Sequence, residues 1–387
     1  MAKAQYKIGV LFSQSGPYGA VSRSMYNGAM LAFDEIRASS DYPFAIVPVV
    51  ADPAGSFEQY ANSSLGLLTE HGVRHVVGCY TSSSRKDVIP LFEKYDALLW
   101  YPSHYEGFES SSNVVYTGAA PNQHIIPLIE FLLANMGKRA YCIGSNYIWA
   151  WENNRILREA LSAAGGTVMA ERYTAVGDTD LSKTIAAILE AKPDFIFNTL
   201  IGTSAYRFFQ GFRAACEQRG IDQPAEMPVL SCSLSEPELG EIGAEAMDGH
   251  ISSSVYFSSI ETPANRRFTA AYRERWPDSS AASADAEASY VAVKMLAAAI
   301  AAAGSDDVEA VRKALPSLTV DAPQGTVKID GPTNHAFLTP RIGKSNSAGQ
   351  FEILWEAGHP VQPDPYLVKT TPRYAIRNSL PKLRAVK

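Results

Sequence analysis

Gly78-Cys79-Tyr80-Thr81-Ser82-Ser83-Ser84-Arg85-Lys86 is the stretch of sequence that decides the fold. The run before it, residues 74–77, is short, β-branched and flanked by glycines, which predicts the end of a buried strand. Hydroxyl side chains then replace apolar ones, and Ser84 with Asp87 has the spacing of a helix capping box. We therefore expect a strand that passes directly into a helix, with Ser82 beside the unpaired N–H groups of the helix start.

Strands and helices alternate along the chain on both sides of this stretch. Residues 6–12 and 44–51 have the pattern of strands, and an amphipathic helix follows the first of them. Residues 97–101 form a further predicted strand, and a second run of the same kind begins after Gly118. The fold class is therefore predicted as α/β, with two doubly wound lobes built on parallel sheets and a ligand cleft between the lobes.

The chain is expected to cross between the lobes several times, because its last third must return to both halves. Predicted crossing points lie at residues 118–121, 249–254 and 321–325. Hinge closure on a ligand is the motion expected of such lobes. The predicted divisions are a first lobe of residues 1–118 and 252–322, a second lobe of residues 119–251 and 323–370, and a tail of residues 371–387.

Composition limits the class of function. A chain of 387 residues with 46% hydrophobic and 19% charged residues is typical of a globular protein of two domains. Its net charge of −6 argues against direct binding of nucleic acid, which needs a clustered excess of Lys and Arg. The four cysteines are scattered without a C-x-x-C pair, and the sequence contains no Walker or dinucleotide-binding glycine motif. Neither a metal nor a cofactor is therefore expected.

The sequence also predicts a compartment. Only five residues precede the first predicted strand, which leaves no room for a secretory apolar segment, so we expect a cytoplasmic protein. The most apolar stretch, residues 295–303, is about nine residues long, against roughly twenty for a membrane-spanning helix, so no membrane association is expected. The tail offers a surface for self-association, so whether the chain forms a homo-oligomer is left open.

Several blocks of sequence together carry a family resemblance. The order of the segments resembles the type I periplasmic-binding-protein-like fold of the branched-chain amino-acid receptors. Within that fold the chain is similar to the amide-sensing negative regulators of aliphatic amidase operons, and to the binding proteins of urea and short-chain amide ABC transporters. The likeness runs over residues 6–367. The blocks are Val77-Gly78-Cys79-Tyr80-Thr81-Ser82, Arg85-Lys86, Tyr101-Pro102, Tyr105-Glu106-Gly107, Ala120-Pro121-Asn122-Gln123, Ile143-Gly144-Ser145-Asn146-Tyr147, Asp321-Ala322-Pro323-Gln324-Gly325 and Gln362-Pro363-Asp364-Pro365-Tyr366.

The resemblance implies a binder of small neutral amides that is not an enzyme. In the regulators, the protein without its amide holds an RNA-binding antiterminator in an inactive complex, and an inducing amide releases it. The absence of an export segment favours the regulator, and the alternative is the substrate-binding protein of a urea or short-chain amide ABC transporter. The chain departs from the regulators at Ser103, His104 and Trp149, where they have threonine, proline and tyrosine. Which amide or urea fits is therefore left open.

The chemistry of an amide agrees with the residues at the predicted strand ends. An amide carries one carbonyl acceptor and two N–H donors without a charge, so its pocket should pair both and avoid lone buried ions. The Ser82 hydroxyl and N–H suit the carbonyl, while backbone carbonyls near Tyr80 and Tyr101, with the Ser103 hydroxyl, suit the NH₂ group. The aromatic side chains of Tyr101, Tyr147 and Trp149 would exclude water and enclose the alkyl group. The predicted ligand-binding residues are Tyr80, Ser82, Tyr101, Ser103, His104, Tyr147, Trp149, Thr203 and Ser233.

Each of these residues also has a purely structural interpretation. The serines at 82–84 could do no more than cap a helix, and Tyr147 and Trp149 could be ordinary half-buried aromatics. Glu106 either neighbours the pocket or, as is more common for a carboxylate in a tight turn, bonds local backbone. His104 either faces the ligand or is a hydrogen-bonded surface imidazole.

Catalysis is not expected. Cys79 lies at a strand end, but a thiol near a helix start is a weak signal for a nucleophile without an adjacent base. A buried structural cysteine is the preferred interpretation of Cys79. The sequence contains no G-x-S-x-G motif, and its seven histidines make no helical H-x-x-x-H pair.

Overall fold

The first part of the chain alternates strands and helices as predicted. The structure is a computed structural model that describes residues 3–370. The predicted tail at 371–387 lies outside the described residues. The elements of this part are β1 Ala4–Leu11, α1 Gly19–Ala38, β2 Phe44–Ala51, α2 Phe57–Thr69, β3 His75–Gly78, α3 Ser82–Lys94, β4 Leu98–Tyr101 and β5 Val114–Tyr116.

A second alternating run follows, and then a third part that joins both. The second run consists of α4 Ile125–Asn135, β6 Arg139–Ser145, α5 Ile148–Ala163, β7 Thr167–Thr174, α6 Ser182–Ala191, β8 Phe195–Thr199, α7 Gly202–Glu217, α8 Gln223–Glu226, β9 Val229–Ser231, α9 Glu236–Ile242 and β10 Ile251–Ser254. The third part consists of α10 Pro263–Arg275, α11 Ala284–Ala303, α12 Val308–Ala314, β11 Thr319–Ala322, β12 Gly325–Asp330, β13 His335–Ala336, β14 Arg341–Ser345 and β15 Phe351–Glu356.

Two sheets organise these elements into two lobes. The first has eight strands in the order β11-β12-β13-β5-β4-β3-β1-β2, and the second has seven in the order β15-β14-β10-β9-β8-β6-β7. Pairing is parallel among β1 to β5 and among β6 to β10, and antiparallel pairs occur only towards one edge of each sheet. The predicted α/β class with two lobes is confirmed. The carboxyl ends of β3 and β4 in the first lobe lead into the stretch on which the prediction was built.

The later two passages between the lobes lie at other points than we expected. Residues 325–330 and 335–336, which we placed in the second lobe, pair in the first sheet, where His335 lies opposite Tyr116. Strand β10, most of which we placed in the first lobe, pairs with β9 and β14 in the second sheet. Pairing with strands so distant in sequence leaves no local signal, because glycines show where a chain turns and not which sheet it joins.

Helix α3 begins where the sequence indicated, but its cap is a different residue. The side chain of Thr81 accepts a hydrogen bond from the N–H of Ser84 at 3.1 Å, so Thr81 is the N-cap. Ser84 therefore lies inside the first turn, and the capping box predicted from Ser84 and Asp87 is wrong by three residues. Ser82 is the first helical residue, so the expected placement of Ser82 at the helix start holds.

Helix α11 is the central helix of the first lobe. By length and composition alone this helix could cross a membrane, but most of it is buried inside the protein. The apolar stretch that we read as nine residues is therefore part of a 20-residue helix. It packs along α1, and the contact is closest at Gly28, where an added Cβ would lie 2.1 Å from the carbonyl oxygen of Ala286. The α11 helix is a core element that reaches the cleft with its N-terminal end.

The contact at Gly28 makes a prediction for stability. Gly28→Ala places a methyl group against backbone atoms of α11, and we expect a loss of about 1–3 kcal/mol in the free energy of unfolding. Gly66→Ala is the matched control, because Gly66 also lies within a helix but an added Cβ there meets no atom of residues 3–370 within 4 Å. Gly66→Ala should instead gain about 0.5–1 kcal/mol from helix propensity. Urea unfolding measures both, and equal effects of the two substitutions would contradict the close crossing.

Candidate functional site

The site begins where β3 passes into α3. Cys79 has a left-handed backbone with φ of +66°, and its N–H donates to the Leu11 carbonyl at 3.0 Å. This turn carries Tyr80, Thr81 and Ser82 across the ends of the parallel strands. The N–H groups of the first helical turn have no acceptor within the helix, since α-helical hydrogen bonds begin only at its fourth N–H. A carbonyl oxygen placed there would meet backbone donors and the positive end of the helix dipole.

Ser82 is held by charged residues that the sequence analysis did not place in the site. Its hydroxyl donates to Oε2 of Glu106, and Nη2 of Arg85 donates to Oε1 of the same carboxylate at 3.0 Å. Nη1 of Arg85 also lies 3.4 Å from the Ser82 hydroxyl oxygen. The Arg85 side chain is fully buried and that of Glu106 is 2% exposed. Glu106 thus bonds the helix start and not its local backbone.

A second carboxylate completes this charge cluster, which we define as Arg85, Lys86, Glu106 and Glu109. Glu109 accepts from Nε of Arg85 at 2.7 Å and from Nζ of Lys86 at 2.6 Å. Burial disfavours the charge of Glu109, but Arg85 and Lys86 outweigh it and lower the Glu109 pKa to about 2. Burial likewise opposes the charge of Arg85, yet the neighbouring carboxylates, Glu106 foremost, raise the Arg85 pKa well above its usual value. The two cations and the two carboxylates of the cluster are therefore paired with one another.

Tyr101 lies beneath the strand ends and not across the cleft, where we expected it to enclose the ligand. Its ring meets Tyr105 and Tyr116 edge-on at 6.5 and 6.2 Å, and the Arg85 guanidinium lies 4.7 Å from its centroid. The Tyr101 hydroxyl donates to the Tyr80 carbonyl at 2.7 Å. The carbonyl of Tyr101 already accepts from two backbone N–H groups, those of residues 117 and 118. Tyr101 therefore supports the turn at residue 80. The backbone carbonyls of Tyr80 and Tyr101, which we matched to a ligand's NH₂ group, both already accept hydrogen bonds from the protein.

The second lobe contributes two aromatic side chains from the start of α5. Tyr147 and Trp149 are 9% and 2% exposed, and their rings are nearly parallel with centroids 6.3 Å apart. Burial raises the pKa of the Tyr147 hydroxyl well above its usual value, and the nearby Tyr101 and Glu106 of the first lobe add to the rise. Tyr147 therefore lies near enough to the first lobe for the charge of Glu106 to act on its hydroxyl group.

His104 lies inside the cleft, so the surface alternative for this residue is wrong. Its side chain is 14% exposed, and its Nδ1 lies 3.5 Å from a carboxylate oxygen of Asp285, at the start of α11. The Trp149 ring approaches it edge to face at 5.2 Å, and the His124 ring at 5.7 Å. His104 therefore bridges the first lobe, the second lobe and the α11 helix.

Tyr80 is buried among acidic groups. Its ring centroid lies 5.3 Å from that of Tyr18. Burial, and then Glu238 and Asp285, raise the Tyr80 pKa well above its usual value. Glu238 follows the second lobe's β9, and it accepts from the N–H of Ser235 at 2.9 Å. Burial above all raises the Glu238 pKa to about 8, so this carboxyl is mainly protonated at neutral pH.

The three remaining predicted residues lie at the edges of this arrangement. Ser103 is 1% exposed, and its backbone is so close to Gly118 that an added Cβ there would lie 2.1 Å from the Ser103 carbonyl oxygen. The Ser233 hydroxyl lies 3.1 Å from that of Ser231, within its own turn. The Thr203 N–H donates to the carbonyl of Pro17, in the other lobe, at 2.9 Å. Thr203 is thus part of a contact between the lobes.

The lobes are closed on one another. A partly open cavity of about 20 Å³ lies between them, and its lining includes His104, Gly118, His124, Cys232 and Asp285. This volume holds about one water-sized group, so a larger ligand requires the lobes to separate. A groove of about 1100 Å³ lies elsewhere, between α6, α7 and residues 242–246, and its walls contain none of the predicted site residues.

The contact at the mouth of the closed cleft depends on two glycines. An added Cβ at Gly202 would lie 2.2 Å from the Pro17 carbonyl oxygen, and one at Gly177 would lie 3.3 Å from the Pro17 ring. Both glycines have left-handed backbones, with φ of +59° and +89°. Pro17 of the first lobe therefore fits into a notch of the second lobe that a side chain would fill.

The sequence analysis missed Arg85, Glu109 and Asp285, and left open whether Glu106 neighbours the pocket or bonds local backbone. A signal for the charge cluster was present: two adjacent cations follow the helix start, and two acids three residues apart follow the next strand. Parallel strand ends meet at one edge of a sheet, so these opposite charges could have been paired. Asp285 had no comparable signal, because an acid in the first turn of a helix is common.

Comparison with known proteins identifies the family. A model of the periplasmic binding protein domain matches residues 6–372, nearly the whole chain. The chain belongs to this family. It is 25% identical, over 81% of its length and 84% of the relative's, to the Leu/Ile/Val-binding protein BraC3 of Rhizobium johnstonii. The chain spans only 24% of the limonene hydroxylase of Geobacillus stearothermophilus, to which it is 30% identical over 129 residues, a third of this chain.

A solved structure shows the same fold. The solute-binding protein of an ABC transporter from Rhodopseudomonas palustris HaA2, in complex with p-hydroxybenzoic acid, superimposes with a TM-score of 0.83 at 19% identity. The superposition covers 95% of this chain and 100% of that protein. The two-lobed architecture of this chain is therefore that of the type I periplasmic binding proteins.

The notch around Pro17 predicts how closure can be blocked. Gly202→Ala sets a methyl group against the Pro17 backbone, so we expect it to hold the lobes apart and enlarge the radius of gyration in small-angle X-ray scattering. Gly220→Ala is the control, because Gly220 has a similar φ of +68° but, in the part of the chain that the structure describes, nothing lies within 4 Å of an added Cβ. The two variants share the cost of a left-handed alanine, about 1 kcal/mol, and differ only in the clash. Identical scattering of both would contradict the notch.

The raised pKa of Glu238 predicts that the folded protein becomes less stable as pH rises. Its pKa rises from 4.5 to about 8 on folding, so between these values the folded protein holds a proton that the unfolded chain has lost. Stability therefore falls as pH rises across this window, at about 1.4 kcal/mol per pKa unit. Glu238→Gln should reduce the fall in unfolding free energy between pH 5 and pH 8 by on the order of 3 kcal/mol. Burial also raises the pKa values of Glu236 and Glu287 to about 7. The unfolding free energy of the Glu238→Gln variant should therefore still fall with rising pH, but less steeply.

Urea unfolding at several pH values measures this slope. The exposed Glu245, on the same lobe, supplies the control substitution Glu245→Gln. An unchanged slope in Glu238→Gln would show that the Glu238 carboxyl ionises normally in the folded protein.

Proposed function

We propose that the protein binds a short aliphatic amide or urea between its lobes and leaves it chemically unchanged. The observation that carries this proposal is the position of Ser82, at the first turn of α3 with the opposing charges of the cluster already paired. Backbone N–H groups there suit a carbonyl oxygen, and the Ser82 hydroxyl group suits the amide nitrogen. Tyr147 and Trp149 of the second lobe limit the ligand to a small one.

The charge balance of the cleft favours an uncharged ligand. Arg85 and Lys86 are matched by Glu106 and Glu109, and Glu238 is mainly protonated at neutral pH because of its raised pKa. A carboxylate oxygen of Asp285 lies 3.5 Å from Nδ1 of His104. A charged ligand would bring an unbalanced ion into this dry space, which costs several kcal/mol, roughly, unless a counter-ion is present.

The state of Cys79 supports binding without turnover. Its side chain is fully buried, and burial raises the Cys79 pKa to about 12. Only the thiolate is a good nucleophile, so a thiol with this pKa is unreactive at neutral pH. The cysteine that we considered as a nucleophile thus serves the left-handed turn at the end of β3.

The favoured biological role is that of a solute receptor for an ABC transporter. The Rhizobium relative is named as an amino-acid-binding protein, and the Rhodopseudomonas structure as a transporter's solute-binding protein. Two lobes that close on a ligand and open again also release it chemically unchanged. This role requires that the protein lie outside the cytoplasmic membrane.

The second candidate is a cytoplasmic amide sensor that releases an RNA-binding antiterminator when the ligand binds. It is favoured by the blocks around Ser82, Tyr101 and Glu106, which are similar to those of the amidase regulators. Fractionation of the native organism separates the roles: a receptor is expected outside the cytoplasmic membrane, and a sensor in the cytosol. Co-purification of an RNA-binding protein that acetamide removes would decide for the sensor.

The binding function itself is tested by calorimetry with acetamide, propionamide, butyramide, urea, formamide and leucine. We expect one of the first five to bind and leucine to fail, because leucine carries two charges. Ser82→Ala should weaken binding of that ligand by about 1–3 kcal/mol, since an N–H of the ligand loses its acceptor. Ser63→Ala, a change of the same kind on α2, should not. Leucine binding with no response to the amides or urea would refute the proposal.

A further inference from the structure

Glu106 has a contact that bears on the class of ligand. Its Oε2 accepts the proton of the Ser82 hydroxyl, while its Oε1 accepts from Arg85 at 3.0 Å and lies 3.6 Å from Nζ of Lys86. A serine hydroxyl has one proton to donate and two lone pairs. With that proton directed to a carboxylate, Ser82 can only accept a hydrogen bond from anything in the cleft.

The lone pairs of Ser82 are also partly used. Nη1 of Arg85 approaches the hydroxyl oxygen at 3.4 Å and occupies one side of it. One acceptor position remains for a ligand. This reverses the role that the sequence suggested for this hydroxyl, which we had matched to a ligand's carbonyl oxygen.

We propose that Glu106 is the specificity-determining residue of the site, which fixes Ser82 as an acceptor and thereby selects amides and ureas against carboxylates. The inference rests on the proposed function, because it concerns the same cleft. An amide gives its N–H to Ser82 and its carbonyl to the N–H groups of the α3 start. A carboxylate of the same shape has no proton at neutral pH for Ser82, and its charge lies next to that of Glu106.

The geometry of the charge cluster fixes the direction of the Ser82 hydroxyl proton. Glu106 is 2% exposed and is bound to a fully buried guanidinium, so its carboxylate cannot turn away from Ser82 without leaving Arg85 half-paired. Removing one partner of a buried ion pair is strongly destabilising, because it leaves an uncompensated buried charge. The direction of the Ser82 proton is therefore fixed before any ligand enters.

The experiment compares ligands that differ in one group. Calorimetry with acetamide and acetate, propionamide and propionate, and benzamide and benzoate gives an affinity ratio of amide to carboxylate for each pair. For the wild-type protein we expect at least one amide to bind, and its carboxylate to bind at least tenfold more weakly. This measurement needs no variant to fold.

Two substitutions then separate the proton of Ser82 from the charge of the cluster. Glu106→Gln lets a side-chain amide donate to Ser82, which frees the serine proton for a ligand, so the ratio should fall tenfold or more. Glu109→Gln removes the same charge from the cluster but leaves the bond between Glu106 and Ser82 intact. In Glu109→Gln the ratio should stay within threefold of the wild-type ratio.

Every outcome bears on the proposal. A wild-type protein that binds a carboxylate as tightly as its amide overturns it, and so does an equal shift of the ratio in both variants. An unchanged ratio in a folded Glu106→Gln variant, with amide binding intact in the wild type, overturns the role of Glu106 and leaves the proposed function standing. A wild-type protein that binds none of these six compounds, and neither urea nor the other amides, refutes the proposed function first.

Discussion

The buried ion pairing of Arg85 is the interaction on which the site depends. A guanidinium without access to water is stable only when its charge and its N–H groups are matched, because desolvation costs several kcal/mol, roughly, per ion. Glu106 and Glu109 match the charge, and the rings of Tyr101 and Tyr105 cover the guanidinium at 4.7 Å. The cluster thereby ties the start of α3 to the loop after β4. Two segments that are separate in sequence become one rigid surface.

The lobes contribute differently to recognition. The first lobe supplies the polar groups, and these are positioned by backbone turns, by the charge cluster and by the Tyr101 hydroxyl. The second lobe supplies the rings of Tyr147 and Trp149, which lie at the start of a single helix. Under the proposed function, a ligand meets a fixed pattern of donors and acceptors on one side and an aromatic wall on the other. On that proposal the first lobe selects the chemical class of the ligand, and the second lobe limits its size.

The fold was predictable because its signals are local. The alternation of strands with helices and the hydroxyl run after β3 gave the class, the strand ends and the helix that begins at Ser82. The partners of late strands were not predictable, since β13 pairs with β5 across more than two hundred residues. Within the site, Tyr147, Trp149 and His104 were found from their position after strand ends, and the structure places them together. Whether they contact a ligand stays a prediction. The burial of Arg85 could not be read from the sequence, because a cation in a helix is usually exposed.

The crossing of α1 and α11 links the interior of the first lobe to the cleft. Gly28 touches the carbonyl of Ala286, and the residue just before it, Asp285, lies beside His104. Any change in the spacing of these two helices therefore displaces a polar group of the cleft. Substitutions in the interior, which no ligand touches, can therefore change the ligand preference of such a protein. Relatives with the same cleft residues need not bind the same ligand.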